Sequence, residues 1–99
     1  MSISSSAAKA VTGVVPVDVV RPLSGLEFMR ALSDGRFPRP PMAALMDFLA
    51  VEVERGRVVF AATPGEQHYN PLGSVHGGYI STLLDSCMGC AVHTELGPG

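Results

Sequence analysis

Charge is scarce in this chain. Only 16% of its 99 residues are charged, and seven bases (Lys9 and six arginines) against nine acids leave a formal net charge of −2. A nucleic-acid binder carries a basic patch or stripe, and the close basic pairs here are Arg36/Arg39 and Arg55/Arg57. Nucleic acid is therefore not an expected partner. Cysteine is scarce as well. Cys87 and Cys90 are too few for a disulfide framework, which points to a reduced, cytoplasmic setting. No basic segment followed by an apolar core opens the chain, so no secretory signal is expected. No run of ~18 apolar residues is present, which removes a membrane span from expectation. The Gly-x-Ser-x-Gly elbow of serine hydrolases is lacking too.

What is present is apolar: 46% of the residues are hydrophobic, enough for one small domain, expected to be α+β. Residues 1–22 read as a flexible tail, with Ser4, Ser5 and Ser6 ahead of breakers at Gly13, Pro16 and Pro22. Residues 23–99 are assigned to the domain. Ser24 with Glu27 three residues on has the spacing of a capping box. Leu26, Phe28, Met29 and Leu32 then supply one apolar face for a helix ending near Asp34-Gly35, and Pro38, Pro40 and Pro41 stiffen the link after it. From Met46 the period changes. Leu49, Val51 and Val53 alternate with Ala50, Glu52 and Glu54, the pattern of a half-buried strand. Arg55-Gly56 makes a turn, and residues 57–63 return as the second strand of a hairpin. Pro64-Gly65 ends it, and a loop runs to Ser74.

Val75 to about Leu96 reads as a long helix. Tyr79, Ile80, Leu83, Leu84, Cys87, Met88 and Ala91 give it a broad apolar face, and Ser81, Thr82, Ser86 and Gly89 are small. Between Pro71 and Thr94 the single formally charged side chain is Asp85. Such a helix is expected to be buried nearly all round, inside a wrapping sheet. Two strands cannot supply that sheet, and the sequence then reaches the turn signal Gly97-Pro98-Gly99. Further strands are expected to follow, or to come from another chain.

Chemistry concentrates around this helix. An ionised Asp85 on a buried helix needs a partner, and no base lies three or four positions away. It is either a carboxylate sheltered by hydroxyls such as Ser81 or Ser86, or a reactive acid. Val75-His76-Gly77-Gly78 stands at the helix start, where unpaired N–H groups and the positive dipole end collect. The two glycines either permit a tight entry turn or let a carbonyl oxygen approach the backbone as it becomes an oxyanion. Asn70-Pro71 is common turn chemistry, although the Asn70 amide could also orient water or a substrate carbonyl. His76 could hold the loop or act as an acid. His68 and His93 are read as surface or packing residues. Cys87-Met88-Gly89-Cys90 lies deep within the helix rather than at its start, so small core residues are expected there, not a redox or zinc site.

Residues 68–78, His-Tyr-Asn-Pro-Leu-Gly-Ser-Val-His-Gly-Gly, followed by Leu83-Leu84-Asp85-Ser86 and Gly89-Cys90-Ala91, resemble the hotdog-fold acyl-CoA thioesterases of the PaaI-like (phenylacetate-degradation) group. The resemblance covers about residues 36–99, including the hairpin. It implies a long central helix wrapped by an antiparallel sheet, of which this chain is the N-terminal part, with active sites at the interface of a homodimer or dimer of dimers. It further implies that Gly77 gives the oxyanion N–H and that Asp85 is the base or nucleophile. Asn70 and His76 would position the thioester and water, with Gly78 also against the substrate. No metal or other cofactor is implied, coenzyme A being part of the substrate. The alternatives are a non-catalytic acyl-CoA-binding hotdog protein and a hotdog acyl dehydratase.

Overall fold

The computed structural model describes residues 11–99, and prolines, a serine and a histidine set where its helices start. Pro16 precedes a single turn, α1 (Val17–Val20). Ser24 caps α2 (Gly25–Ser33): its Oγ accepts from Glu27 N–H at 3.1 Å and its N–H donates to Glu27 Oε1 at 2.8 Å, the reciprocal box expected from the spacing. The Ser24 N–H, and then its hydroxyl, hold the Glu27 carboxyl below the usual carboxylate range. Pro40 and Pro41 open α3 (Pro41–Met46), a helix where the sequence reading had only a stiff link. Proline at the first helical position loses no hydrogen bond there and has its φ preset. Asp47, left-handed at φ 54°, closes α3.

Strands β1 (Phe48–Glu54) and β2 (Arg57–Ala62) form the expected antiparallel hairpin, turned at Gly56 with φ +77°. The expected inner face of β1 is corrected. Register shifts between Ala50 and Glu52, so Val51 is an extra residue in a bulge and is 47% exposed. Side chains alternate along a strand, so one inserted residue reverses the phase. Phe48 and Ala50 face the core before the bulge and Val53 after it.

A turn of 3₁₀ helix (Glu66–His68) leads through a loop to α4 (Gly77–His93). The architecture is α+β, with α2 packed on β1, α4 on β2, and α2 also touching α4. Met29, Ala50 and Val58 centre the core, with Phe28, Phe60, Cys90 and Ala91 around them. Gly25 N–H donates to Leu96 O at 2.9 Å, and buried Thr94 accepts from the Gly56 N–H at 2.7 Å. The far end of α4 is thereby joined to both α2 and the hairpin turn. Within the stretch read as tail, Ser4, Ser5 and Ser6 lie outside the described residues. Farther on, Arg39 N–H donates to Val11 O and Gly13 N–H to Arg39 O, both at 2.9 Å.

Candidate functional site at the start of the long helix

The loop into α4 is closed by its own backbone. Tyr69 and Val75 form an antiparallel bridge, His76 N–H donates to His68 O at 2.8 Å, and Gly73 adopts φ +84°. Asn70 braces the interior of this loop. Its Oδ1 accepts from the N–H groups of Leu72 (2.9 Å) and Ser74 (3.2 Å), while Nδ2 donates to Ser74 Oγ at 3.0 Å. The turn chemistry is therefore realised. The amide's second N–H has no acceptor among the described residues.

Below the loop, buried His68 accepts from Gly65 N–H at its Nδ1 (2.9 Å), and its Nε2 lies 3.3 Å from Leu45 O. Those partners suit the Nε2–H tautomer. His68 is thus a packing residue, its ring 4.5 Å from that of Tyr79. Tyr79, 4% exposed, donates its hydroxyl to Met46 O at 2.8 Å. Burial, and then nearby Asp47, pushes the Tyr79 phenol up. The start of α4 is pinned to the end of α3 through these two rings.

His76 is the N-cap of α4, and its Nδ1 accepts the Gly78 N–H at 2.8 Å. A Cβ at 78 would lie 2.9 Å from that nitrogen. Gly78 therefore has a structural reason: it leaves room for the imidazole that caps the helix. Gly77 has none. A Cβ there would meet nothing within 4 Å, its φ is not in the left-handed region, and it is exposed. No acceptor meets the Gly77 N–H among the described residues.

The burial expected for Asp85 is corrected. Leu83, Ser86, Cys87 and Cys90 turn toward the sheet and are half-buried, whereas Asp85 is exposed. At ~100° per residue, Asp85 lies about 200° round the helix from both Leu83 and Cys87. Its carboxylate has no hydrogen bond or ion pair among the described residues. It is open to solvent instead, which explains how it stands without a base. The expectation of a helix buried all round is corrected with it. Ile80, Leu84, Met88 and Val92 are 50%, 55%, 62% and 64% exposed. A two-stranded sheet covers one side of α4, and the other presents Gly77, Ile80, Ser81, Leu84, Asp85, Met88, Gly89 and Val92 to the outside. Low charge in a helix reports that its surroundings are apolar or unfilled; it does not by itself report burial.

The cysteines sit in the core-facing half of α4. Cys87 Sγ donates to Val58 O at 3.3 Å, and burial, with Cys87 adding to it, pushes the Cys90 thiol up. Among the described residues no three His, Cys, Asp or Glu side chains gather as metal ligands. No helix among them is long and apolar enough to cross a membrane. Compared with known proteins, the chain matches no family model, no curated sequence and no solved structure.

Proposed function

We propose that this chain belongs to a hotdog-fold acyl-CoA thioesterase, hydrolysing acyl-CoA to free acid and coenzyme A. The observation that carries the reading is Gly77. It is a glycine at the start of a long helix, with an unengaged N–H, a permissive backbone angle and open space where a side chain would stand. Folding of this chain gives no reason for glycine at that position, whereas close approach of a ligand from outside does. Asp85 lies on the same outward side with its oxygens unpartnered among the described residues.

In this reading the thioester carbonyl oxygen accepts from the Gly77 N–H, which stabilises the negative charge that develops on it. Asp85 takes a proton from the attacking water, or attacks the carbonyl carbon itself to give an anhydride that water then opens. Either way the C–S bond breaks, its electron pair leaves on sulfur, and the thiolate takes up a proton. In the same reading the remaining N–H of Asn70 and the Nε2 of His76 would orient substrate and water, with Gly78 beside them. The eight residues between Gly77 and Asp85 span ~12 Å along one helix. A single copy cannot bring both groups within ~3 Å of one carbon, so the reading includes a homodimer in which each site takes Gly77 from one copy and Asp85 from the other. A dehydratase needs a histidine working with a carboxylate. His76 has its Nδ1 committed to the cap and no carboxylate bonded to it among the described residues, so hydrolysis is the better fit.

The test is thiol release from acyl-CoA by the purified protein, set beside hydration of an enoyl-CoA. Asp85→Asn keeps size and hydrogen bonding but can neither take a proton nor attack, so turnover should fall about 100-fold or more. Near-normal turnover in that variant removes Asp85 from the mechanism. Binding without turnover in the wild type identifies an acyl-CoA-binding protein instead.

A further inference from the structure

A cavity of about 130 Å³ lies where α2, α3, the hairpin and the inner face of α4 converge. Met29, Met42, Phe48, Phe60 and Cys90 are among the residues that line it, and Arg39 contributes to it. Arg39 is 8% exposed and is the one charged side chain among the buried described residues. Its charge is incompletely answered. One Nη donates to Phe48 O at 2.7 Å. The nearest carboxylate, Asp47, stands at 3.7 Å, beyond hydrogen-bonding distance, and is half-exposed. The Nε–H is closed off from solvent and has no acceptor among the described residues. Buried guanidinium groups are found paired and hydrogen-bonded. Here one is left short of partners beside an open, largely apolar cavity.

We propose that this cavity binds a small monocarboxylic acid, its apolar body among the methionines and phenylalanines and its carboxylate on the Arg39 guanidinium. The planar fork of arginine matches a carboxylate in geometry as well as charge, and the remaining wall is apolar and excludes strongly hydrated ions. A cavity of ~150 Å³ holds a benzene ring, so an acid with an apolar body of about six heavy atoms fits the space. The site stands apart from Gly77 and Asp85. Ser86, next to Asp85 in sequence, turns inward to this cavity while Asp85 turns outward. The inference is therefore independent of the thioester reading.

Methionine methyl groups report the test. Met29 and Met42 line the cavity, whereas Met46 does not and Met88 lies on the outward face of α4. With the full chain labelled at ¹³C-methyl methionine, benzoate should shift the Met29 and Met42 signals saturably and leave Met46 and Met88 in place. Benzamide, the same shape without the charge, should bind at least tenfold more weakly, and formate, the charge without the body, weaker still. Arg39→Met should abolish the preference for benzoate over benzamide. If that variant folds poorly, the three ligands on the unaltered protein decide alone. The proposal is overturned if benzoate leaves Met29 and Met42 unshifted at millimolar concentration, if benzamide or formate equals it, or if the main shift is at Met88.

Discussion

A Cβ at position 78 would sit 2.9 Å from His76 Nδ1, the atom that caps α4, whereas a Cβ at 77 would meet nothing within 4 Å. Alanine therefore has opposite effects at two adjacent positions. Gly78→Ala displaces the imidazole and loses the cap, worth ~1 kcal/mol, and the ~0.5 kcal/mol gained by restricting the unfolded chain leaves a net loss of about 0.5 kcal/mol. Gly77→Ala keeps every bond and restricts the unfolded chain, so it should stabilise by about 0.5 kcal/mol. Urea unfolding of the two variants reads this directly; equal destabilisation by both would show that Gly77 has a structural duty after all. Gly77→Ala should at the same time lower thiol release, since the methyl group occupies the space proposed for the substrate. Cys90 gives a second residue-level prediction. Its thiol is pushed up by burial, then by Cys87, and alkylation proceeds through the thiolate. Iodoacetamide near pH 9 should therefore modify Cys90 more slowly in the folded protein than in urea. Because the folded value is the raised one, the unfolded chain loses its proton first. The contribution to stability is intact below the ordinary thiol range and declines as pH rises through the folded value. A folded-state rate equal to that in urea would show Cys90 to be accessible and unshifted.

At the scale of elements, the contact between the start of α2 and the end of α4 is the tightest test of the fold. A Cβ at Gly25 would run into the backbone carbonyl of His93, and backbone cannot rotate away as a side chain can. Gly25→Ala should cost ~1–3 kcal/mol through overpacking, seen as a lowered urea midpoint with unchanged slope. An unchanged midpoint would mean that the two helices are not seated together in solution. What could be read of these elements from the sequence follows their range. The capping box of Ser24 and Glu27, the Arg55-Gly56 turn and the long helix after His76 are set by neighbours within a few residues, and each was legible. The phase of β1 was not, because the bulge at Val51 is fixed by pairing with β2. The helix Pro41–Met46 had a local signal, proline at the first helical position followed by Met-Ala-Ala-Leu-Met, hidden by reading three prolines as a stiff linker. The burial of Arg39 and Thr94 depends on contacts from distant segments and leaves no mark in the sequence around them. At the candidate site, the residue types and their spacing were legible, but the outward direction of Asp85 follows from which side of α4 meets the sheet.

For the whole molecule, the outward side of α4 is the feature that needs an answer. Ile80, Leu84, Met88 and Val92 are each at least half exposed on one helix, and contiguous apolar surface of this kind drives association. Gly77 and Gly89 leave open space on the same side, so another surface can come close to the backbone. In a two-fold dimer the same patch meets itself, and each copy's Asp85 can approach the other's Gly77. Two single-residue variants separate this arrangement from a site within one copy. Asp85→Asn removes the acid. Gly77→Pro removes the N–H at the first helical position, where proline is tolerated, and His76 at φ −62°, ψ 135° already has the extended backbone required before proline. Each variant alone should lack turnover. Refolded together in equal amounts, half of the dimers are mixed. Each mixed dimer holds one site with both groups and one with neither, so about a quarter of wild-type activity should return. A within-copy site gives no recovery, because every site in every dimer then lacks one group. Mixed dimers that form and stay inactive would therefore overturn the shared site, whereas recovery near a quarter fixes both the partner and the two residues that cross between copies.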